Sequence, residues 1–324
     1  MKTEKAADAG NGSSAAGKGD KMEYVLKTDH LTKQYGSFRA LDQLSMHIPK
    51  GAIYGFVGKN GAGKTTLIRV ICGLQKPTSG EYFLYGRRHS EKEIRKARRR
   101  IGAVVETPSI YMDMSAEDNL KVQYRVLGNP SDEGIPELLQ LVGLHNTGKK
   151  RAKHFSLGMK QRLGIALALA GNPDMLVLDE PVNGLDPEGI IEIRELILKL
   201  NREKQITVLI SSHILEELSK LATHYGFIHH GRMLKEISAE DLEDACRKCI
   251  RLTVSDLQIF CRVMEGRKGT YQLISENEAD LYGETDITDL ILELAANNCK
   301  VTAFHEHDES LENFYMNLVG GEKR

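Results

Sequence analysis

Two kinds of apolar pattern divide the chain. From residue 23 to about 51, apolar and polar positions alternate, with turns at Tyr35-Gly36-Ser37 and Pro49-Lys50-Gly51. A period of two broken by turn residues predicts antiparallel strands with one face in a core. Residues 52–57, 175–178 and 207–210 are instead continuous apolar runs of strand length. Such runs predict parallel strands covered on both faces, and the long helical stretch between the last two fits a crossover. A helix is expected over 66–71, a strand over 81–85 beyond the turn at 75–80, and a buried strand over 101–106. Residues from about 115 to 170 read as mostly helical.

The pattern changes after about Ser238. Strand-like 250–254 is followed by a helical stretch at 257–264, strand-like 271–275 and 279–282, a helix over 287–296 and a strand over 300–304. That order, βαββαβ, predicts a small ferredoxin-like α+β module. The expected division is a disordered extension over 1–21, an α/β domain over 22–238 and an accessory α+β domain over 239–324.

Composition narrows the classes. The 324 residues include 41% hydrophobic side chains, enough for a substantial core, and no apolar run approaches the 18 residues a bilayer span needs. A net charge of -1 gives no general reason to expect nucleic-acid binding. Residues 1–21 are rich in Gly, Ala, Ser and Lys without an apolar h-region, which predicts neither a secretory signal nor an anchor. Five cysteines suggest a reducing compartment. Cys246 and Cys249 form a lone C-x-x-C with no second pair to complete a zinc site, and His229-His230, His305 and His307 fit surface or strand positions. The basic run over 89–100 reads as a helix with a solvated face.

Candidate chemistry begins at Gly58-Lys59-Asn60-Gly61-Ala62-Gly63-Lys64-Thr65, which fits G-x-x-x-x-G-K-[ST] between an expected strand and helix. The glycines let successive N–H groups point inward as an anion nest, and the helix dipole adds to the attraction. Lys64 can meet the β- and γ-phosphates of a nucleoside triphosphate, and the Thr65 hydroxyl can ligate Mg²⁺. Gly58, Asn60, Gly61, Ala62, Gly63, Lys64, Thr65 and Thr66 are therefore the candidate phosphate-binding positions. Kinases, GTPases and transport ATPases all remain open on this loop alone. The strand 175–178 then ends in Asp179-Glu180. An apolar strand ending in an acid matches the Walker-B pattern, with Asp179 on the metal and Glu180 placed to polarise a water.

Phe155-Ser156-Leu157-Gly158-Met159-Lys160-Gln161-Arg162 lies between these motifs and opens an apolar helix that Ser156 can cap. With all three segments present, the chain resembles the nucleotide-binding subunit of an ABC transporter over about residues 23–231. The resemblance implies a P-loop NTPase fold with an antiparallel β-subdomain and a helical subdomain, ATP and Mg²⁺ as ligands, and ATP hydrolysis coupled to transport. It implies that Tyr35 stacks on adenine, that Ser156 and Gly158 of the signature loop and Asp186 of the D-loop act across a dimer, and that His213 contacts the γ-phosphate. A homodimer or a related ATPase subunit is implied as one partner, with an integral-membrane permease as the other. The expected location is peripheral, on the cytoplasmic face of the membrane.

Three departures from the family pattern stand out. Leu157 and Met159 alter a signature that commonly reads Leu-Ser-Gly-Gly-Gln, and Lys59 stands where proline is common. After the strand at 101–105 the family usually has a glutamine that touches Mg²⁺, whereas here it is Glu106. A carboxylate binds Mg²⁺ more strongly and adds negative charge beside the γ-phosphate. Glu106 and the following Thr107-Pro108-Ser109-Ile110-Tyr111 resemble subunits of bacitracin and lantibiotic self-protection exporters. A non-transport ABC ATPase acting on ribosomes or nucleic acid is the alternative. Such proteins often carry two cassettes or long coiled-coil insertions, and this chain shows one cassette and no sustained heptads.

Overall fold

The computed structural model describes residues 23–129, 131–246, 249–283, 286–307 and 311–321; the expectation for 1–21 falls outside them. Strands β1 (Tyr24–Tyr35) and β2 (Phe38–Pro49) form the antiparallel hairpin that the alternation predicts. Gly36 takes a left-handed φ of 56° at its turn, which glycine adopts without steric cost. Then come β3 (Ile53–Val57), α1 (Lys64–Ile71), β4 (Ser79–Leu84) and β5 (Arg87–Arg88), and the first sheet runs β2-β1-β4-β5. The helix expected in the basic run is only α2 (Ile94–Arg98), anchored by Ile94 and Ala97 alone, since the other positions are charged.

The second sheet is built from β6 (Ile101–Val104), β7 (Met175–Asp179), β8 (Thr207–Ser212), β9 (His224–His229) and β10 (Arg232–Ser238) added to β3. Helices α3 (Ala116–Leu127), α4 (Ile135–Leu141) and α5 (Leu157–Leu169) lie between β6 and β7, α6 (Pro187–Lys204) crosses from β7 to β8, and α7 (Leu215–Ser219) precedes β9. Its order is β10-β9-β3-β8-β7-β6, parallel except for β10 at one edge. The continuous apolar runs have a simple cause: successive residues feed two cores. Ile53, Val57, Leu176, Leu178, Val208 and Ile210 pack toward the helices, while Tyr54, Phe56, Met175, Val177 and Leu209 pack toward α1 and the first sheet. Each such buried side chain contributes about 1.5–3 kcal/mol. Val57 pairs with Ser212 and Asp179 with Ser211, so the carboxyl ends of β3, β8 and β7 meet at one rim. In open α/β sheets ligands bind beyond that rim.

The remainder comprises α8 (Ala239–Ala245), β11 (Cys249–Val254), α9 (Leu257–Arg267), β12 (Thr270–Leu273), β13 (Glu278–Tyr282), α10 (Ile287–Ala296), β14 (Val301–His307) and α11 (Leu311–Gly321). Its strands form an antiparallel sheet in the order β12-β13-β11-β14, the split β-α-β arrangement, over a separate core that includes Leu252, Phe260, Leu281 and Leu290. The ends of this stretch depart from the expected boundary at 239. Leu242 of α8 and Phe314 and Tyr315 of α11 are buried in the core of the larger domain. Among the described residues no helix is long and apolar enough to cross a membrane.

Candidate nucleotide-binding site

The loop between β3 and α1 owes its shape to glycine at particular positions. A Cβ at Gly58 would lie 2.7 Å from both the side chain and the carbonyl of Ile228. Gly63 has φ 112°, and a Cβ there would lie 2.5 Å from the Ala40 carbonyl. Gly61 is also left-handed, at φ 81°. The Ala62 N–H donates to the Lys59 carbonyl at 3.0 Å and closes a tight turn, while the Gly231 N–H holds the Ala62 carbonyl at 2.9 Å. Gly63 precedes α1 without a side-chain cap, and no acid occupies the first turn, where Thr65 and Thr66 lie half-buried. The first N–H groups of the helix are thus left for an anion.

Lys64 is 5% exposed. Its ammonium group donates to the Gly58 carbonyl and, at 3.3 Å, to the Lys59 carbonyl, and pairs with Glu180 Oε1 at 3.1 Å. Glu180 follows β7 in a left-handed conformation, φ 52°, and its N–H donates to Ser211 Oγ at 3.0 Å. Its other carboxylate oxygen meets His213 Nδ1 at 2.5 Å. Asp179 is 2% exposed and accepts from Ser211 Oγ at 2.6 Å. One rim of the sheet therefore brings together Lys64, Asp179, Glu180 and His213. Ser211 holds both acids in place. Asn60, by contrast, is exposed at the tip of the loop.

The ABC transporter family profile matches residues 41–183. The chain is 41% identical over 308 residues to the bacitracin transport ATP-binding protein BcrA of Bacillus licheniformis, covering 93% of this chain and 99% of that protein. This chain belongs to the ABC transporter ATP-binding family. It is also 46% identical over 223 residues to the lantibiotic transport ATP-binding protein SrtF of Streptococcus pyogenes, covering 68% of this chain and 95% of that one. The dimeric post-hydrolysis structure of the ATP-binding cassette MJ0796 bound to ADP and Pi superposes with a TM-score of 0.59 at 25% identity, covering 66% of this chain and 98% of that one.

The remaining candidate positions of this ABC ATPase lie outside that central array. Tyr35 ends β1 with its ring half exposed, a lysine (Lys33) 5.0 Å from its centroid, and its hydroxyl donating to Gln75. Ser156 caps α5, accepting from the Met159 N–H at 3.2 Å. A Cβ on Gly158 would meet nothing nearer than 3.9 Å, so nothing within the chain demands glycine there. Asp186 caps α6 through the Gly189 N–H at 3.0 Å.

Glu106 is left-handed, φ 60°, and more than half exposed, with Oε1 paired to Arg69 Nη2 of α1 at 2.5 Å. It borders a groove of about 930 Å³ between β6, the end of α1 and helices α3 and α5, which Arg69, Arg98, Arg99, Gln123 and Leu167 help to line. Among the described residues no group of three or more His, Cys, Asp or Glu could hold a metal by itself. One buried carboxylate and one hydroxyl, Asp179 and Thr65, are the hard oxygen donors that suit Mg²⁺, which usually takes one or two protein ligands and fills its shell with phosphate and water. Sequence reasoning missed Ser211 as the residue holding both acids, and it missed the Arg69 partner of Glu106. Neither partner is visible from local spacing.

Proposed function

We propose that this chain is the ATPase subunit of an exporter of antimicrobial peptides of the bacitracin or lantibiotic type, driving a separate membrane permease from the cytoplasmic face. The observation that carries the catalytic part is the Lys64–Glu180–His213 array at the rim of the parallel sheet. The relatives named for bacitracin and lantibiotic transport support the cargo class.

With nucleotide bound, Lys64 exchanges Glu180 for the β- and γ-phosphates, and the N–H groups of residues 61–66 cradle them. The Tyr35 ring supports the base, steadied by its bond to Gln75. Glu180, released from Lys64, accepts a proton from the attacking water, and His213 orients its carboxylate from the other side. Thr65 and Asp179 would hold Mg²⁺, assisted by Glu106; the ion supplies positive charge to the phosphate oxygens. The Ser156 and Gly158 surface is open toward solvent and serves the nucleotide of a second copy or a related subunit, with Asp186 holding the neighbouring helix start. The groove beside Glu106 receives the permease, so that opening and closing of the ATPase pair is passed to the membrane through α1 and β6.

The test is purification of the tagged chain from its native membranes in mild detergent, with mass spectrometry of the co-purifying integral proteins. A multi-spanning permease supports the transporter role. Ribosomal or nucleic-acid partners without a permease would overturn it and leave the ATPase assignment standing.

A further inference from the structure

The last helix of the chain returns to the nucleotide site. Phe227 of β9 is the register partner of Val57, the residue immediately before Gly58. Phe314 and Tyr315 of α11 cover it, with ring centroids 5.5 Å and 6.1 Å away, and both are buried. Lys235 of β10 closes the far side, its ammonium 5.1 Å from the Phe314 centroid. The packing brings the Tyr315 hydroxyl to the phosphate loop, where it accepts from the Lys59 N–H at 3.4 Å.

Lys59 is where the loop is organised. Its carbonyl accepts both the Ala62 N–H that closes the turn and the Lys64 ammonium. The same residue therefore faces Lys64 with its carbonyl and Tyr315 with its N–H. Holding the N–H fixes the start of the turn and, one peptide unit along, the direction in which the carbonyl of the same residue meets Lys64. Lys59 is also a residue with an N–H at a position where a proline would have none.

We propose that Tyr315 is a positioning residue for ATP: its hydroxyl holds the outer turn of the phosphate loop, and α11 thereby sets nucleotide affinity. The proposal rests on the phosphate loop binding ATP. The hydroxyl and the ring do different things. The ring covers Phe227 and contributes to stability; the hydroxyl orders a loop that contributes to binding. Tyr315→Phe keeps the first and deletes the second.

The experiment uses the full chain and a fluorescent N-methylanthraniloyl ATP, titrated with Mg²⁺ present. A hydrogen bond of this length and type corresponds to a weakening of about 2- to 10-fold, and Tyr315→Phe is expected in the lower part of that range. Its melting temperature should stay within about 3 °C of the wild type. In steady-state hydrolysis KM should rise by the same factor while kcat stays within about twofold, the signature of lost uniform binding. Lys59→Pro removes the donor, so adding Tyr315→Phe to it should weaken binding no further. Wild-type affinity in Tyr315→Phe, or losses that multiply in the double variant, would overturn the proposal. Lys64→Ala separates the premise from the inference. If the wild type binds no better than Lys64→Ala, the phosphate loop is not the ATP site, and the role of Tyr315 falls with it.

Discussion

Replacing Glu180 with glutamine should move binding and turnover in opposite directions. Lys64 and Glu180 lie 3.1 Å apart with 5% and 20% of their side chains exposed. At an effective dielectric near 20 their gross attraction is about 5 kcal/mol. Desolvation offsets much of it, since two charges have left bulk water. In the proposed function phosphates must take Lys64 from this carboxylate, so Glu180 competes with the nucleotide it would help to hydrolyse. Glutamine keeps the shape and an acceptor oxygen but removes the charge. If about 1.5–2 kcal/mol of the competition survives desolvation, the Kd for ATP should fall about 10- to 30-fold in Glu180→Gln. Loss of the general base should lower phosphate release by about 10²- to 10⁴-fold. Equilibrium titration with a fluorescent ATP analogue and a continuous phosphate-release assay measure the two quantities separately. Wild-type turnover in the variant would remove Glu180 from the catalytic role. Binding that weakens would show that Lys64 is not held back by this pair.

Gly158→Ala should leave the fold intact, because the new methyl meets only Gly189 and Leu185 at 3.9 Å. Alanine is the better helix residue by up to about 0.5–1 kcal/mol, so the melting temperature should hold or rise slightly while ATPase activity falls about tenfold or more. Normal turnover with that melting curve would remove the signature surface from the reaction. Glu106→Gln breaks an exposed pair with Arg69 and should change stability by less than about 1 kcal/mol. The Mg²⁺ concentration for half-maximal hydrolysis should rise, and an unchanged metal titration would count against contact between Glu106 and the ion. Burial lowers the pKa of His224 below its ordinary 6.5, although Glu236 pulls it the other way. The unfolded chain then takes up a proton that the folded one refuses, so this contribution to stability is complete above 6.5 and is lost as the pH falls below it. Urea melts at about pH 5.5 and about 7.5 should show a smaller difference for His224→Gln than for the wild type.

The legible parts of the site were those whose chemistry is contiguous in the chain. Gly58 to Thr65 carries its glycines, its lysine and its hydroxyl within eight positions, and Asp179-Glu180 ends a strand whose apolar run is unbroken. The two-faced burial of β3, β7 and β8 was legible for a related reason: a strand that feeds two cores has no polar side to show. What stayed hidden depends on distant partners. Ser211 reaches Asp179 across 32 positions, and Arg69 reaches Glu106 across 37. The helix α11 had a local signal that went unread, with Leu311, Phe314, Tyr315, Leu318 and Val319 at helical spacing. The position of that helix over Phe227 could not be read, because nothing in a period says which surface it covers.

Burial of α8 and α11 in the larger core gives the module between them two moorings. Held at both ends, it behaves as an inserted loop in space. A chain ended at Ser238 would therefore lose more than the module. It would remove Phe314 and Tyr315 from over Phe227 and expose that ring beside the phosphate loop, a side chain worth about 1.5–3 kcal/mol when buried. Any loss of activity in such a truncation would report an opened core. A clean excision removes 249–307 and splices α8 to α11 through a flexible linker, keeping the aromatic cover in place, so that whatever then changes belongs to the module itself.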